Sequence, residues 1–205
     1  SSNTTGSSNT AVGYQALDAN TTADNNTAVG YDALTANTTG TENSAGGGYA
    51  LSVNTTGSYN TAFGYSSLGS NTASNNTGFG YRALGANTTG ADNTSVGYNS
   101  LRLNTTGNYN TAVGNSASYS NTTAQKSTAV GYYALLNATT GGNNTAVGYK
   151  ALDSVTDGHD NTGVGRDVLS AVTTGEKNTA CGTGGQGITT GQNNICIGYN
   201  AGSAA

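Results

Sequence analysis

The chain has 205 residues, of which 32 are Gly; Pro, Met and Trp are absent, 8% are charged, and the formal net charge is −4. Six Lys+Arg against ten Asp+Glu leave no basic face to displace counterions from a nucleic acid, no apolar run approaches the ~18 residues of a membrane-spanning helix, and no charged-then-apolar leader is visible. Gly and polar residues in these amounts would suit a disordered chain, but the low charge, the thirteen Tyr and the recurrent Val and Leu do not, so order must come from arrangement.

The arrangement is a repeat. Aligned on the Gly of Asn-Thr-Ala-Val-Gly-Tyr, the chain shows Gly13, Gly30, Gly47, Gly64, Gly80, Gly97, Gly114, Gly131, Gly148, Gly165, Gly182 and Gly198, spaced by 17 residues, or by 16 after Gly64 and after Gly182. The consensus turn is Asn-Thr-Ala-Val-Gly-Tyr-x-Ala-Leu-x-x-Asn-Thr-Thr-Gly-x-x. Residues 1–205 read as one array, degenerate over 176–205. It starts and stops inside the pattern, which predicts a segment of something longer.

In chain order, each turn opens four residues before the Gly with Asn: Asn9, Asn26, Asn43, Asn60, Asn76, Asn93, Asn110, then, past Ser127, Asn144, Asn161, Asn178 and Asn194. Thr-Ala-Val follows and favours a strand. Gly-Tyr predicts a corner with positive φ. Four residues after the Gly stands Leu: Leu17, Leu34, Leu51, Leu68, Leu84, Leu101, Leu135, Leu152 and Leu169. Three further on is a second Asn column, Asn20, Asn37, Asn54, Asn71, Asn87, Asn104 and Asn121, replaced later by Ala138, Val155 and Val172. Thr-Thr-Gly closes the turn at another corner.

Seventeen residues cannot hold a helical hairpin but can hold two short strands and two corners. An antiparallel meander would need Asn-Gly or Asp-Gly turns, and the chain has one such pair, Asp157-Gly158. Only a coil places identical residues above one another. The prediction is an all-β, parallel β-solenoid of about twelve 16–17-residue turns, at about 4.8 Å per turn. The Asn columns would exchange amide hydrogen bonds along the stack, and Leu would fill a thin core. The Asn9 column and Leu column are thus candidate structural ladders. Asn3, Asn20, Asn37, Asn54, Asn87, Asn104 and Asn121 also satisfy the N-glycosylation pattern and would form one decorated stripe.

Neighbouring residues of a strand point to opposite faces, yet the Ala11 and Val12 columns are both apolar. The strand therefore reads as buried on both sides: one face lines the coil, and the other, expected to be the small Ala column, packs against further copies.

Segments such as Thr5-Gly6-Ser7-Ser8-Asn9-Thr10-Ala11-Val12-Gly13 resemble the head repeats of trimeric autotransporter adhesins, Gly-x-Asn-Ser-x-Ala-Ile-Gly-x-x-Ala. They are more similar still to the Asn-Thr-Ala-Val-Gly-Tyr arrays of phage tail-fibre and related surface-fibre proteins, as is the ending Asn193-Asn194-Ile195-Cys196-Ile197-Gly198-Tyr199-Asn200-Ala201-Gly202. The resemblance covers the whole chain. It implies a left-handed β-roll, commonly a homotrimer, serving as a stalk or receptor-facing head on a cell surface or virion.

Catalytic chemistry needs convergent His, Cys and carboxylates. Here there are one His, His159, read as a solvated corner, and two Cys, Cys181 and Cys196, in adjacent columns that point apart, read as buried fillers rather than a disulfide. Gly182-Thr183-Gly184-Gly185-Gln186-Gly187 lacks the strand–helix unit of a phosphate loop. No enzyme, metal or cofactor is expected. The expected function is a structural fibre or stalk of a phage tail fibre or cell-surface adhesin, acting extracellularly with itself, and with a receptor or glycan, as partners. Contact is expected at the variable pairs Ser58-Tyr59, Asn108-Tyr109 and Gln125-Lys126. The alternatives are a filament or sheath subunit, and an ice-binding solenoid, against which stands the placing of the Thr pairs at a corner.

Overall fold

The computed structural model of the protein describes residues 2–202. Twelve strands follow along the chain: β1 (Thr10–Val12), β2 (Thr27–Val29), β3 (Ser44–Gly46), β4 (Thr61–Phe63), β5 (Thr77–Phe79), β6 (Thr94–Val96), β7 (Thr111–Val113), β8 (Thr128–Val130), β9 (Thr145–Val147), β10 (Thr162–Val164), β11 (Thr179–Gly182) and β12 (Ile195–Gly198). They form one sheet in chain order. Each pairs in parallel one repeat along, Thr10 with Thr27, Ala11 with Ala28, Val12 with Val29. The protein is an all-β parallel β-solenoid whose 12 strands enclose about eleven complete turns, with no helix among the described residues.

Each turn has one strand, not the two that the period suggested. The reason lies in the backbone after the Gly-Tyr corner. The residues two and four after the Gly both have positive φ, as in Gln15 and Leu17 at 51°, and alternation of this kind curls the chain away from a straight strand. Positive φ thus falls on the Leu column rather than on the second Asn column. A third such position, five before the Gly, carries residues as varied as Glu42 (57°), Tyr59 (61°) and Lys126 (56°). Turn-to-turn bonding nevertheless continues around the circumference. Asp32 N–H donates to Tyr14 at 2.9 Å, Leu17 to Ala33 at 3.1 Å, Ala19 to Thr35 at 3.0 Å, Thr4 to Thr21 at 2.9 Å and Asn25 to Ser7 at 3.0 Å.

The column Gly is required twice over. Gly97 has φ 138°, and a Cβ on it would lie 2.4 Å from the carbonyl oxygen of Gly114. No L side chain suits that conformation, and none fits the space.

The interior holds Leu, two Ala columns and the Asn side chains. Leu34, Leu51, Leu68, Leu84, Leu101, Leu135, Leu152 and Leu169 are wholly buried, and Leu17 nearly so. The strand's middle residue, Ala28, Ala62, Ala112 or Ala146, is also wholly buried. It faces the residue three after the Gly, and the two columns trade volume: where that second column carries Val168, the strand has Gly163, whose added Cβ would meet Val168 Cγ1 at 3.0 Å.

The two Asn columns act differently. In the first, the side chain serves the backbone of the next turn: Asn26 Oδ1 accepts the N–H of Asn43 at 2.9 Å and Nδ2 donates to the Gly40 carbonyl at 2.8 Å. Ser127 keeps the acceptor role, taking the N–H of Asn144 at 3.3 Å. Asn9, Asn60, Asn76, Asn93 and Asn110 follow the same pattern. The second column is an amide-to-amide ladder, Asn20 to Asn3, Asn37 to Asn20, Asn54 to Asn37, Asn87 to Asn71 and Asn104 to Asn87, at 2.6–3.3 Å. It breaks twice. In the 16-residue turn Asn71 bends to Ala73, leaving Asn54 Oδ1 buried without a partner. At its upper end Asn121, meeting Ala138 above, turns to the N–H of Ala124 at 2.8 Å, and Asn104 Oδ1 is orphaned likewise.

Candidate interaction surface

The strand presents Thr and Val outward and Ala inward. Val12, Val29, Phe63, Phe79, Val96, Val113 and Val164 are exposed, while the strand's middle residue, Ala, Gly or Ser, is buried in each of these strands after the first. This reverses the expectation that the small Ala column faces a partner. The coil is too narrow to take Val or Phe at that position: at Gly78, even a Cβ would lie 2.5 Å from Ser67 Oγ. The outward face is therefore a parallel sheet twelve strands long, mostly of Thr and Val, with Phe63 and Phe79 in the middle and Ile195 and Ile197 at the end.

Beside it runs the Tyr column. Tyr14 and Tyr31 stack at 5.1 Å, Tyr65 and Tyr81 at 5.7 Å, Tyr81 and Tyr98 at 5.2 Å, and Tyr132 and Tyr149 at 5.4 Å, with interplanar angles of 9–15°. Rings stacked along the rod turn edges, not faces, outward. The column is interrupted at Gly48, Asn115, Arg166 and Thr183, and beside the first two a Tyr one position along packs against the neighbouring ring. Tyr49 meets Tyr65 edge-on at 5.6 Å and 74°, and Tyr133 covers Tyr132 at 3.9 Å.

Two recesses open on this flank. One, of about 290 Å³, is lined by Tyr49, Ser52, Tyr65, Ser66, Gly69, Ser70, Arg82, Gly85 and Arg102. It exists because Gly69 and Gly85 stand where other turns carry a side chain, and Arg102 lies over Gly85, with Cδ and Nη1 each 3.4 Å from where a Cβ would be. The Arg82 guanidinium sits 5.2 Å from the centre of the Tyr81 ring. Both arginines are half-buried, and no carboxylate lines the recess. The ion pairs among the described residues involve His159 and Arg166 instead. The second recess, of about 410 Å³, lies where Asn115 interrupts the rings, between Tyr98, Tyr119, Tyr132, Tyr133 and Leu136, with Asn99 and Ser116 on its wall. The Oδ1 of Asn99 is buried without a partner.

Tyr59, Tyr109 and the pair Gln125-Lys126 are exposed, with Ser58 and Asn108 half-buried. Asn20, Asn37, Asn54, Asn87, Asn104 and Asn121 are buried, and their amides are spent inside the coil, so no accessible glycan acceptor remains at them once the turns form; Asn3 is exposed. His159 bridges Asp160 at 2.8 Å and Glu176 at 2.9 Å on the surface. Cys196 is buried but Cys181 is exposed, both as free thiols, so the reading of both as buried fillers holds for one of them. The described residues contain no group of three or more potential metal ligands, and no helix long and apolar enough to cross a membrane.

No protein-family model, curated protein or solved structure matches the chain. The recesses escaped the sequence reading because it followed the consensus. Their signal lies in the departures, Gly69, Gly85, Arg82, Arg102 and Asn115.

Proposed function

We propose that the chain is a non-enzymatic fibre or stalk segment, of the kind found in phage tail fibres and cell-surface adhesins, a stiff extracellular rod carrying attachment contacts on its flanks. The observation that supports this reading is the bonding of every turn to the next around its circumference, reinforced by buried Asn columns, which resists bending in any direction. Eleven intervals of about 4.8 Å give a rod of about 53 Å. The outward strand face suits a second copy. From Thr to Tyr it is about 16 Å wide, hence about 850 Å², close to the ~800 Å² per partner of a standard interface. Three-fold assembly is favoured by the family resemblance alone.

Electron microscopy and sedimentation test this together. Straight rods of fixed length, assembled at micromolar concentration and dispersed by Val96→Glu with Val113→Glu, support it. A flexible chain would overturn the rod, a persistent monomer the assembly, and endless filaments would favour the sheath subunit.

One observation favours a second reading, ice binding. Besides the corner Thr pairs, a separate column, Thr27 through Thr179 with Ser44 in it, lies on the outward strand face beside Val. Thermal hysteresis of a dilute solution would decide for ice. Its absence would leave the fibre.

A further inference from the structure

The flank between the third and eighth turns differs from the rest of the rod in three independent ways. Arg82 and Arg102, two of only six Lys+Arg in a chain of net charge −4, converge on one recess. Neither forms an ion pair or a side-chain hydrogen bond among the described residues, and both are half-buried. Arg166, by contrast, is exposed and reaches Asp167 at 3.6 Å. Guanidinium groups drawn partly out of water with no anion of their own are poised for one from outside, because the fork of N–H donors matches a carboxylate, sulfate or phosphate. Secondly, the wall opposite is aromatic and hydroxylic. Tyr49 leaves the edge-out stack, standing at 74° to Tyr65, and Ser52, Ser66 and Ser70 supply hydroxyls. Thirdly, the next recess along the rod starts in the same turn as Arg102. It is bounded by Tyr98, which no ring covers from the Asn115 side, and by the Tyr132–Tyr133 pair. Its polar groups are amides and a hydroxyl, and it contains no charge.

We propose that this flank binds an acidic oligosaccharide, a charged sugar unit held over Arg82 and Arg102 and the ring of a neighbouring unit lying in the tyrosine-lined recess. The volumes, about 290 and 410 Å³, suit single sugar rings rather than a folded partner. Rings beside amide and hydroxyl groups are the chemistry that a pyranose needs, apolar C–H faces against aromatics and hydroxyls against polar groups. Oligosaccharide units follow one another at about the spacing of one β-turn rung, so a chain lying along the rod reaches both recesses. The proposal deepens the attachment-rod reading and rests on it for its biological sense, though the site is defined by its own residues.

The test is calorimetric titration of the purified chain with a tetra-uronate, its methyl ester, the uncharged parent tetrasaccharide and inorganic sulfate. Binding of the tetra-uronate that weakens with salt, about tenfold or more in Arg82→Gln and again in Arg102→Gln, about threefold in Tyr98→Ala, and unchanged in Arg166→Gln, is the expected result. Equal binding of the methyl ester, or no loss in the Arg82→Gln/Arg102→Gln double variant, would overturn it. Binding of sulfate as tight as that of the tetra-uronate would reduce the site to a simple anion site and overturn the saccharide assignment, as would no binding of the tetra-uronate at millimolar concentration. Electron microscopy reports the rod separately: straight particles of the unmodified chain that fail to bind the tetra-uronate refute the site alone, collapsed particles of the unmodified chain refute the rod, and straight particles of the double variant assign its lost binding to the site.

Discussion

The side-chain Oδ1 of Asn76 accepts the backbone N–H of Asn93 at 3.0 Å, while its Nδ2 donates to the carbonyl of Gly90 at 2.8 Å. One side chain, itself wholly buried, thus serves a backbone donor and a backbone acceptor of the next turn. Asn76→Ala leaves the Asn93 N–H without an acceptor, while the Gly90 carbonyl keeps Asn87 Nδ2 at 2.8 Å, and is expected to destabilise the chain by about 1–3 kcal/mol. Hydrogen exchange checks it: protection should fall first at Asn93 and its neighbours and last at the ends of the array.

Ala112 and Val113 are adjacent, and their environments are opposite. Ala112→Glu places an unpaired charge in the core and should cost more than about 4 kcal/mol. Val113→Glu should leave the thermal transition of a dilute sample within about 2 °C while weakening self-association. Equal melting losses in the two variants would contradict the inward-Ala arrangement.

Two positive-φ positions should respond oppositely. Gly97→Ala meets both the strain of φ 138° and the Gly114 carbonyl, and should destabilise by about 3 kcal/mol or more. Glu42 is exposed at φ 57°, in a conformation that Asn tolerates better, so Glu42→Asn should stabilise by about 0.5 kcal/mol. Urea melts of the pair decide.

Two carboxylates predict opposite pH effects. The Ser7 N–H at 2.6 Å and its hydroxyl at 3.0 Å hold the Asp24 carboxyl below the usual range. A depressed folded value means stability present above the ordinary carboxylate pKa and lost as pH falls through the folded one. Burial pushes Asp153 up, and one of its oxygens is unpartnered. For a raised carboxylate the sign inverts: the penalty is absent below the unfolded value and complete above the folded one. Asp153→Asn should therefore raise the melting temperature by about 2 °C at pH 7 and by nothing at pH 3.

Restoring the missing residue at the short corner, by inserting Thr between Thr72 and Ala73, should let Asn71 turn back to Asn54. The gain expected is about 1 kcal/mol, read as a higher thermal midpoint and increased exchange protection in the turns around Asn54 and Asn71.

The coil, its register and its Leu core were legible because each rests on strict identity at a fixed period: only stacking brings Leu34, Leu51 and Leu68 together. The direction of the strand was not. Ala11 and Val12 are both apolar, and alternation says that they diverge without saying which turns inward; the deciding quantity is the width of the coil, a sum over residues far apart in the turn. Leu in left-handed backbone was likewise hidden, since propensity assigns such corners to Gly and Asn, and burial of the Leu side chain outweighs a local strain of about 1 kcal/mol. The recesses were written in single departures from the repeat, which a consensus averages away.

A corner that can lose a residue without moving the strands after it makes the array forgiving in inheritance. Thr61 still pairs with Thr77 across the 16-residue turn, so a small deletion there stays a local event. Whole turns can likewise be gained or dropped, each touching only its neighbours. The rod then works as a graduated ruler: lineages can lengthen the reach of the molecule turn by turn, while any contact written on a given turn keeps its bearing relative to the turns on either side.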